Sequence, residues 1–410
     1  MAVDVVRFLK RHTNFASETG GNSLFLTISS RIKSLHIMKK SLFTVAMMLV
    51  AISVLTGCVD KDMVKYAATY KLKNNLFRET IDTLLVLDDK TILETDTFRN
   101  MLSSAYYALN LKGKIVADDC TDMDVTPDGK TIVFSDNCNG KVSFYSYPEM
   151  KLIKTVETEV FIQGVDLSPD GKTMALAAET GRILLCDIAS GKITKDFMAH
   201  RATVRSLVFK DANTLFSCGN DQVVAAWDVP SGNNLWSLHA HGKNVKNIKI
   251  SGDKKKIITA SNDGAACVLP ATREKPQDEL FRLSHCANYV NDAAFSPDGK
   301  LCATVGADAY VKFWDASDGK FQNEVYVGEA LASVNFSSDG KMAIAGGANF
   351  AFLIDTQSGK IVARIRSGST AIWSANFIGK DQFAFVNHSR VRFGKLLTVE
   401  EMLDLLRKQS

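Results

Sequence analysis

Short runs of alternating apolar and polar residues, broken by Gly, Asn and Asp, fill the chain from Gly113 to the C-terminus. One stretch shows the pattern most clearly. Val204 to Phe209 alternates, Thr214 to Cys218 follows, and Gly219-Asn220-Asp221 marks a turn. Val223 to Asp228 comes next, then Ser231-Gly232 and a last run through Leu238. Period-two alternation over runs this short, punctuated by turn residues, predicts a four-stranded antiparallel meander.

The meander recurs about every 42 residues, in the range of stacked and radial arrays. A polar turn marks each copy: Pro127-Asp128-Gly129-Lys130, Pro169-Asp170-Gly171-Lys172, Pro297-Asp298-Gly299-Lys300 and Ser338-Asp339-Gly340-Lys341. Lys210-Asp211-Ala212-Asn213, Gly252-Asp253-Lys254-Lys255 and Gly379-Lys380-Asp381 keep the same register. So many short strands would leave long edges in one open sheet, and radial packing removes that problem. The predicted fold is all-β, a seven-bladed β-propeller of four-stranded antiparallel blades.

The last repeat supplies only Ile372–Phe377, Gln382–Val386 and Val391–Leu396. Its missing outer strand is expected from Gly113-Lys114-Ile115-Val116-Ala117, which matches Gly359-Lys360-Ile361-Val362-Ala363 of repeat six. Both ends of residues 112–397 would then build one blade. Outside that range the period changes. Met63, Tyr66, Ala67 and Tyr70, then Leu76, Phe77, Ile81 and Leu84, follow helical spacing, and Phe98, Met101, Leu102, Ala105, Tyr106 and Leu109 give a cleaner helix from Asp96. Residues 58–111 therefore read as a tether and small helical segment. Thr398-Val399-Glu400-Glu401 opens a C-terminal helix over 398–410 with a capping-box pattern.

Upstream, Lys39-Lys40 precede an apolar run from Leu42 to Leu55 that ends in Thr56-Gly57-Cys58. A basic start, an apolar core too short to span a bilayer and a small-residue ending describe a secretory signal over 38–57. The ending resembles the lipobox of bacterial lipoproteins, which implies acylation at Cys58, cleavage before it and residence in the cell envelope. Val59 follows the cysteine where an inner-membrane retention signal has Asp, so the outer membrane is the expected site. Residues 1–37 read as an over-extended start ahead of Met38. Residues 1–57 carry seven of the 49 Lys/Arg and two of the 45 Asp/Glu, leaving 42 basic against 43 acidic, a net −1. The remainder lacks the basic field that nucleic-acid binding requires.

Trp227-Asp228 and Trp314-Asp315 end third strands, and Cys186-Asp187 and Ile354-Asp355 stand at the equivalent places. Two full sets of His, hydroxyl, Asp and Trp accompany them: His200, Ser217, Asp221, Trp227 and His285, Thr304, Asp308, Trp314. A third, His241, Thr259 and Asp263, has Leu269 in place of Trp. These features resemble the WD-repeat β-propeller family. The resemblance implies that each set is a hydrogen-bonded relay within one blade, that the ring closes with both termini, and that the rim before the inner strands grips protein partners. It covers residues 113–396, with the relay missing from repeats one, two, six and seven.

The remaining chemistry is thin. His200, His239, His241 and His285 precede inner strands, but three are relay members in separate blades, so no metal site is expected. Seven cysteines follow Cys58, with no CxxC. Cys186, Cys218, Cys267 and Cys302 fall in apolar strands as small hydrophobes, and only Cys120 with Cys138 or Cys286 looks like disulfide material. The repeated Asp-x-x-Ser-Gly resembles quinone-type propellers, yet only Trp236 supplies the docking Trp expected in every blade. No phosphate loop, HExxH or GxSxG occurs. The favoured reading is a non-catalytic scaffold without cofactor, contacting partners through Phe161, Gln163, Arg205, Lys246, Tyr289, Asn291 and Trp373. The competing one is an envelope enzyme or ligand binder using the central channel, with acids such as Asp122, Asp166 and Asp292.

Overall fold

In the computed structural model the chain divides into two compact units, Met1–Asp89 and Lys90–Ser410. The structure describes residues 65, 68, 81, 96–116, 119–277, 279–286, 288–367, 370–378 and 381–407. In the first unit these are Lys65, Ala68 and Ile81, all helical, with Ala68 and Ile81 buried. The signal-like run and Cys58 lie outside the described residues. Among those described, no helix is long and apolar enough to cross a membrane.

The second unit contains seven four-stranded antiparallel sheets, the seven blades expected from the period. Blade 3 is representative: Val204–Asp211, Thr214–Gly219, Val224–Asp228 and Asn233–Leu238, innermost to outermost. All six residues of Thr214–Gly219 are buried, whereas no residue of the outer strand Ile193–Met198 of blade 2 is fully buried. A middle strand has a neighbouring blade on each face, so both faces must be apolar; an outer strand meets water. The cores accordingly sit between blades. Phe216, Ala226 and Trp236 of blade 3 pack against Ile248, Ile257 and Leu269 of blade 4. Each large side chain so buried contributes about 1.5–3 kcal/mol.

The polar turns are self-sealing. Ser168 Oγ and the Lys172 N–H both donate to Asp170 Oδ1, at 2.6 and 3.1 Å, while Gly171 takes φ +70°. Lys254 holds the corresponding place in blade 4 at φ +60°, a left-handed conformation unfavourable for a side-chain-bearing residue.

Blade 7 joins the two ends of the ring. Its order is Ser374–Ile378, Gln382–Asn387, Arg390–Lys395 and, outermost, Lys112–Ile115. The last pair runs from Lys112↔Phe393 to Ile115↔Arg390. The helix Asp96–Asn110 (α1) leads directly into this strand. Tyr107 of α1 donates its hydroxyl to Lys395 O at 2.8 Å, accepts the Leu397 N–H at 3.3 Å and meets Phe383 edge-on at 5.5 Å. The helix Val399–Arg407 (α2) starts with a reciprocal cap: Glu401 N–H donates to Thr398 Oγ1 and Thr398 N–H to Glu401 Oε2, at 3.2 and 2.8 Å. The cysteines from Cys120 to Cys302 are all free, so the pairing of Cys120 with Cys138 or Cys286 is not made.

Candidate functional site: the channel mouth

The inner strands of blades 1 to 6 each begin with an irregularity in register. It falls between Cys120 and Met123, Ile162 and Gly164, Val204 and Ser206, Val245 and Asn247, Val290 and Asp292, and Leu331 and Ser333. A bulge leaves one residue unpaired and re-aims its side chain. Those residues are Thr121, Gln163, Arg205, Lys246, Asn291 and Ala332, and Trp373 stands at the equivalent place before the regular blade 7 strand. All seven line the central cavity, of about 870 Å³. Four of them, with Trp373, were candidates from the sequence.

Below this ring, side-chain hydrogen bonds cross every boundary between blades. Asp122 Oδ2 accepts Val165 N–H at 3.2 Å, and Asp166 Oδ2 accepts Phe209 N–H at 2.6 Å. Ser206 donates to Asn247, and Lys249 to Asp292, at 3.1 and 2.7 Å. Asp292 also accepts Val334 N–H at 2.8 Å, Asn335 donates to Asn376, and Ser374 donates to Asp122 at 3.3 Å, which completes the circle. Asp124 adds a second tie from blade 1 to blade 2 through Leu167 N–H at 2.8 Å. Burial pushes Asp122 up to about 6 and Asp124 up to about 7, and raises Asp166 and Asp292 as well. Asp122, Asp166 and Asp292 are thus clasps between blades, each with one carboxylate oxygen taken by a backbone N–H of the next blade.

Phe161, Tyr289 and Trp373 are 48%, 50% and 50% exposed, on loops that enter inner strands and hence on one rim. Gln163 donates to Asn137 and accepts from Arg205, each at 2.8 Å, bridging blades 1, 2 and 3. Asn291 donates to Leu331 O of blade 6 at 2.7 Å. Gln163 and Asn291 are therefore already engaged within the ring, whereas the three aromatics keep about half their surface open, Trp373 at the cavity wall.

The polar sets behave as relays. His200 Nε2 lies 2.7 Å from Ser217 Oγ, its Nδ1 2.9 Å from Asp221, and Trp227 Nε1 donates to the same hydroxyl at 2.8 Å. In blade 5, Thr304 Oγ1 lies 2.6 Å from His285 and accepts from Trp314 at 2.8 Å, with Asp308 3.0 Å from the other ring nitrogen. Burial lowers His285, opposed by Asp308. His285, Cys286 and Asp308 bring ligand atoms within 4.8 Å of one another, but both His285 nitrogens are taken by the relay. His239 is exposed.

The WD domain, G-beta repeat family matches residues 191–228, 232–268 and 277–315. The chain carries WD40 repeats. Each match starts at or before the outer strand of one blade and ends on the third strand of the next, and the three cover the three relay-bearing blades. Among similar proteins, DDB1- and CUL4-associated factor 10 of Xenopus laevis is 30% identical over 142 residues, 34% of this chain and 31% of that protein. Apoptotic protease-activating factor 1 of Rattus norvegicus is 22% identical over 319 residues, 72% of this chain and 24% of that protein. The chain spans less than a third of the length of either.

Within the WD40 blades, blade 4 departs from the pattern. His241 keeps Thr259 at 2.8 Å and Asp263 at 3.0 Å, but Leu269 offers no donor, and Thr259 turns its hydroxyl to Cys267 O at 3.2 Å. Arg282, from the outer strand, donates to Asp263 at 2.5 Å and to Cys267 Sγ at 2.8 Å. Burial acts to raise Asp263, yet His241, the Gly242 N–H and Arg282 together hold it well below the usual range. No sequence motif pointed to Arg282, because its partner Asp263 lies in the turn between the second and third strands of the blade.

Proposed function

We propose that this chain is a non-catalytic protein-interaction scaffold whose partner docks on the rim around the channel mouth. One observation carries the reading: Phe161, Tyr289 and Trp373 stand about half exposed around a mouth whose scaffold is tied at every blade boundary. Large aromatics held on a rigid ring suit interface anchors, since little side-chain entropy remains to be lost on binding. The channel acids support the non-catalytic part, because their oxygens hold neighbouring blades together. The relatives point the same way by name, one being a factor associated with DDB1 and CUL4.

The same proposal places the chain in a bacterial cell envelope, held by acylated Cys58 and facing away from the cytoplasm, in the outer membrane. This rests on the run Leu42–Leu55 and the ending Leu55-Thr56-Gly57-Cys58; the eukaryotic relatives add nothing to it.

Crosslinking in the native cell tests docking. A stoichiometric protein partner is expected with the full chain, and F161A/W373A should lose it while keeping the melting temperature. No partner, or one captured equally by the variant, overturns the reading. For the anchor, mass spectrometry should find an acylated N-terminal Cys58, and C58A should leave the membrane fraction; peptides upstream of Met38 would contradict the assigned start.

A further inference from the structure

The channel mouth holds two neighbouring cations with no carboxylate in contact. Arg205 and Lys246 are the bulge residues of adjacent inner strands in blades 3 and 4, and both line the central cavity. Among the described residues neither forms an ion pair, although Lys249 deeper in the channel pairs with Asp292. Of the aspartates lining the cavity, Asp119 is bound to His388 at 2.6 Å at the boundary of blades 7 and 1, and Asp122, Asp166 and Asp292 are taken by the ties between blades. Glu179 acts on Arg205 only from a distance. Burial depresses both cations, and the Arg205 charge depresses Lys246 further. Two partly desolvated like charges side by side are unfavourable until an anion joins them.

A second observation points the same way. Arg205 is a residue of the cavity wall, and among the described residues its buried Nε has no hydrogen-bond partner. Buried polar atoms are paired in the great majority of cases, so this guanidinium still has an unsatisfied donor. Gln163 accepts from Arg205 Nη1, which fixes the guanidinium in the cavity wall, a planar group suited to a carboxylate.

Building on the scaffold reading, we propose that the channel mouth is a carboxylate site for an acidic peptide segment of the partner. A Glu or Asp side chain enters between Arg205 and Lys246, accepts from the Arg205 guanidinium and is neutralised by the Lys246 ammonium. Phe161, Tyr289 and Trp373 then cover the residues flanking it. The charge pair supplies selectivity for acidic segments, and the aromatics supply contact area.

Tetraglutamate is the probe, titrated into the full chain at low ionic strength and read by Trp373 fluorescence, with W373F as the blank. Of the four tryptophans, Trp227, Trp236 and Trp314 are buried, so the signal reports the mouth. Saturable binding is expected, weakened about tenfold by R205Q and by K246Q and lost with tetraglutamine. Among the described residues the Lys246 ammonium makes no hydrogen bond, so K246Q keeps the test valid if R205Q perturbs the ring. Equal binding of both peptides, no binding of tetraglutamate, or an unchanged K246Q overturns the carboxylate site. Binding of inorganic phosphate with none of tetraglutamate also overturns it, because the site then takes a tetrahedral anion. A crosslinked partner that K246Q retains and F161A/W373A loses removes the carboxylate site while leaving the scaffold; absence of any partner removes the scaffold itself.

Discussion

Lys249 and Asp292 meet at 2.7 Å across the boundary of blades 4 and 5, and the same carboxylate oxygen accepts the Val334 N–H of blade 6 at 2.8 Å. Lys249 also donates to Val334 O at 2.8 Å. Two side chains thus join three blades. D292A leaves the Lys249 ammonium with Val334 O alone and takes the acceptor from the Val334 N–H, and should cost about 3 kcal/mol in denaturant unfolding. K249M should cost less, because Asp292 keeps its backbone donors. The K249M/D292N pair should be clearly non-additive.

The relays make a second prediction. W227F and W314F remove the indole donor from Ser217 and Thr304 while leaving an aromatic ring in place. Each should lower stability by about 1–2 kcal/mol. Equal stability in urea unfolding would mean that the relay is ornamental.

Arg282 pairs with Asp263 in the blade whose relay lacks a Trp, so R282M should act through Asp263. The folded state holds this carboxyl below its unfolded value, so its contribution is present at neutral pH and lost as pH falls through the folded value. R282M weakens the depression. The melting temperature of the variant should lie below that of the wild type near neutrality, and the gap should narrow as pH drops below about 4, where the unfolded carboxylate protonates.

Asp124 titrates in the opposite sense. Burial raises it to about 7, so the folded state holds a proton that the unfolded chain has released, and its contribution fades as pH rises from about 4 through 7. D124N removes that titration. Relative to wild type, its melting temperature should improve between pH 5 and pH 8; a constant offset would show that Asp124 is ionised throughout.

How far the sequence revealed this molecule depends on the reach of each interaction. Turns such as Ser168-Pro169-Asp170-Gly171-Lys172 are local, because every partner lies within a few residues, and so the blades could be read directly. Ring closure was legible because Gly113–Ala117 resembles Gly359–Ala363. The bulges at Arg205 and Lys246 were not, since a bulge is defined by the strand opposite. Asp122, Asp166 and Asp292 were ambiguous for a related reason. Their partners Val165, Phe209 and Val334 become neighbours only when successive blades close around a common axis. Gln163 and Asn291 had the right position for a contact rim, yet half of what they do is bind the next blade.

The four-residue strand Lys112–Ile115 also has a mechanical meaning. It is the place where the ring was sewn shut, and the chain leading to it bears any load applied from the N-terminal side. Tension there reaches α1, whose Ser104 Oγ accepts the Arg364 N–H of blade 6 at 3.2 Å, and then a single row of pairs with Arg390–Phe393. The ring is therefore as strong against pulling as that one stitch and the α1 contacts through Ser104 and Tyr107 beside it, however firmly the other blades are clasped.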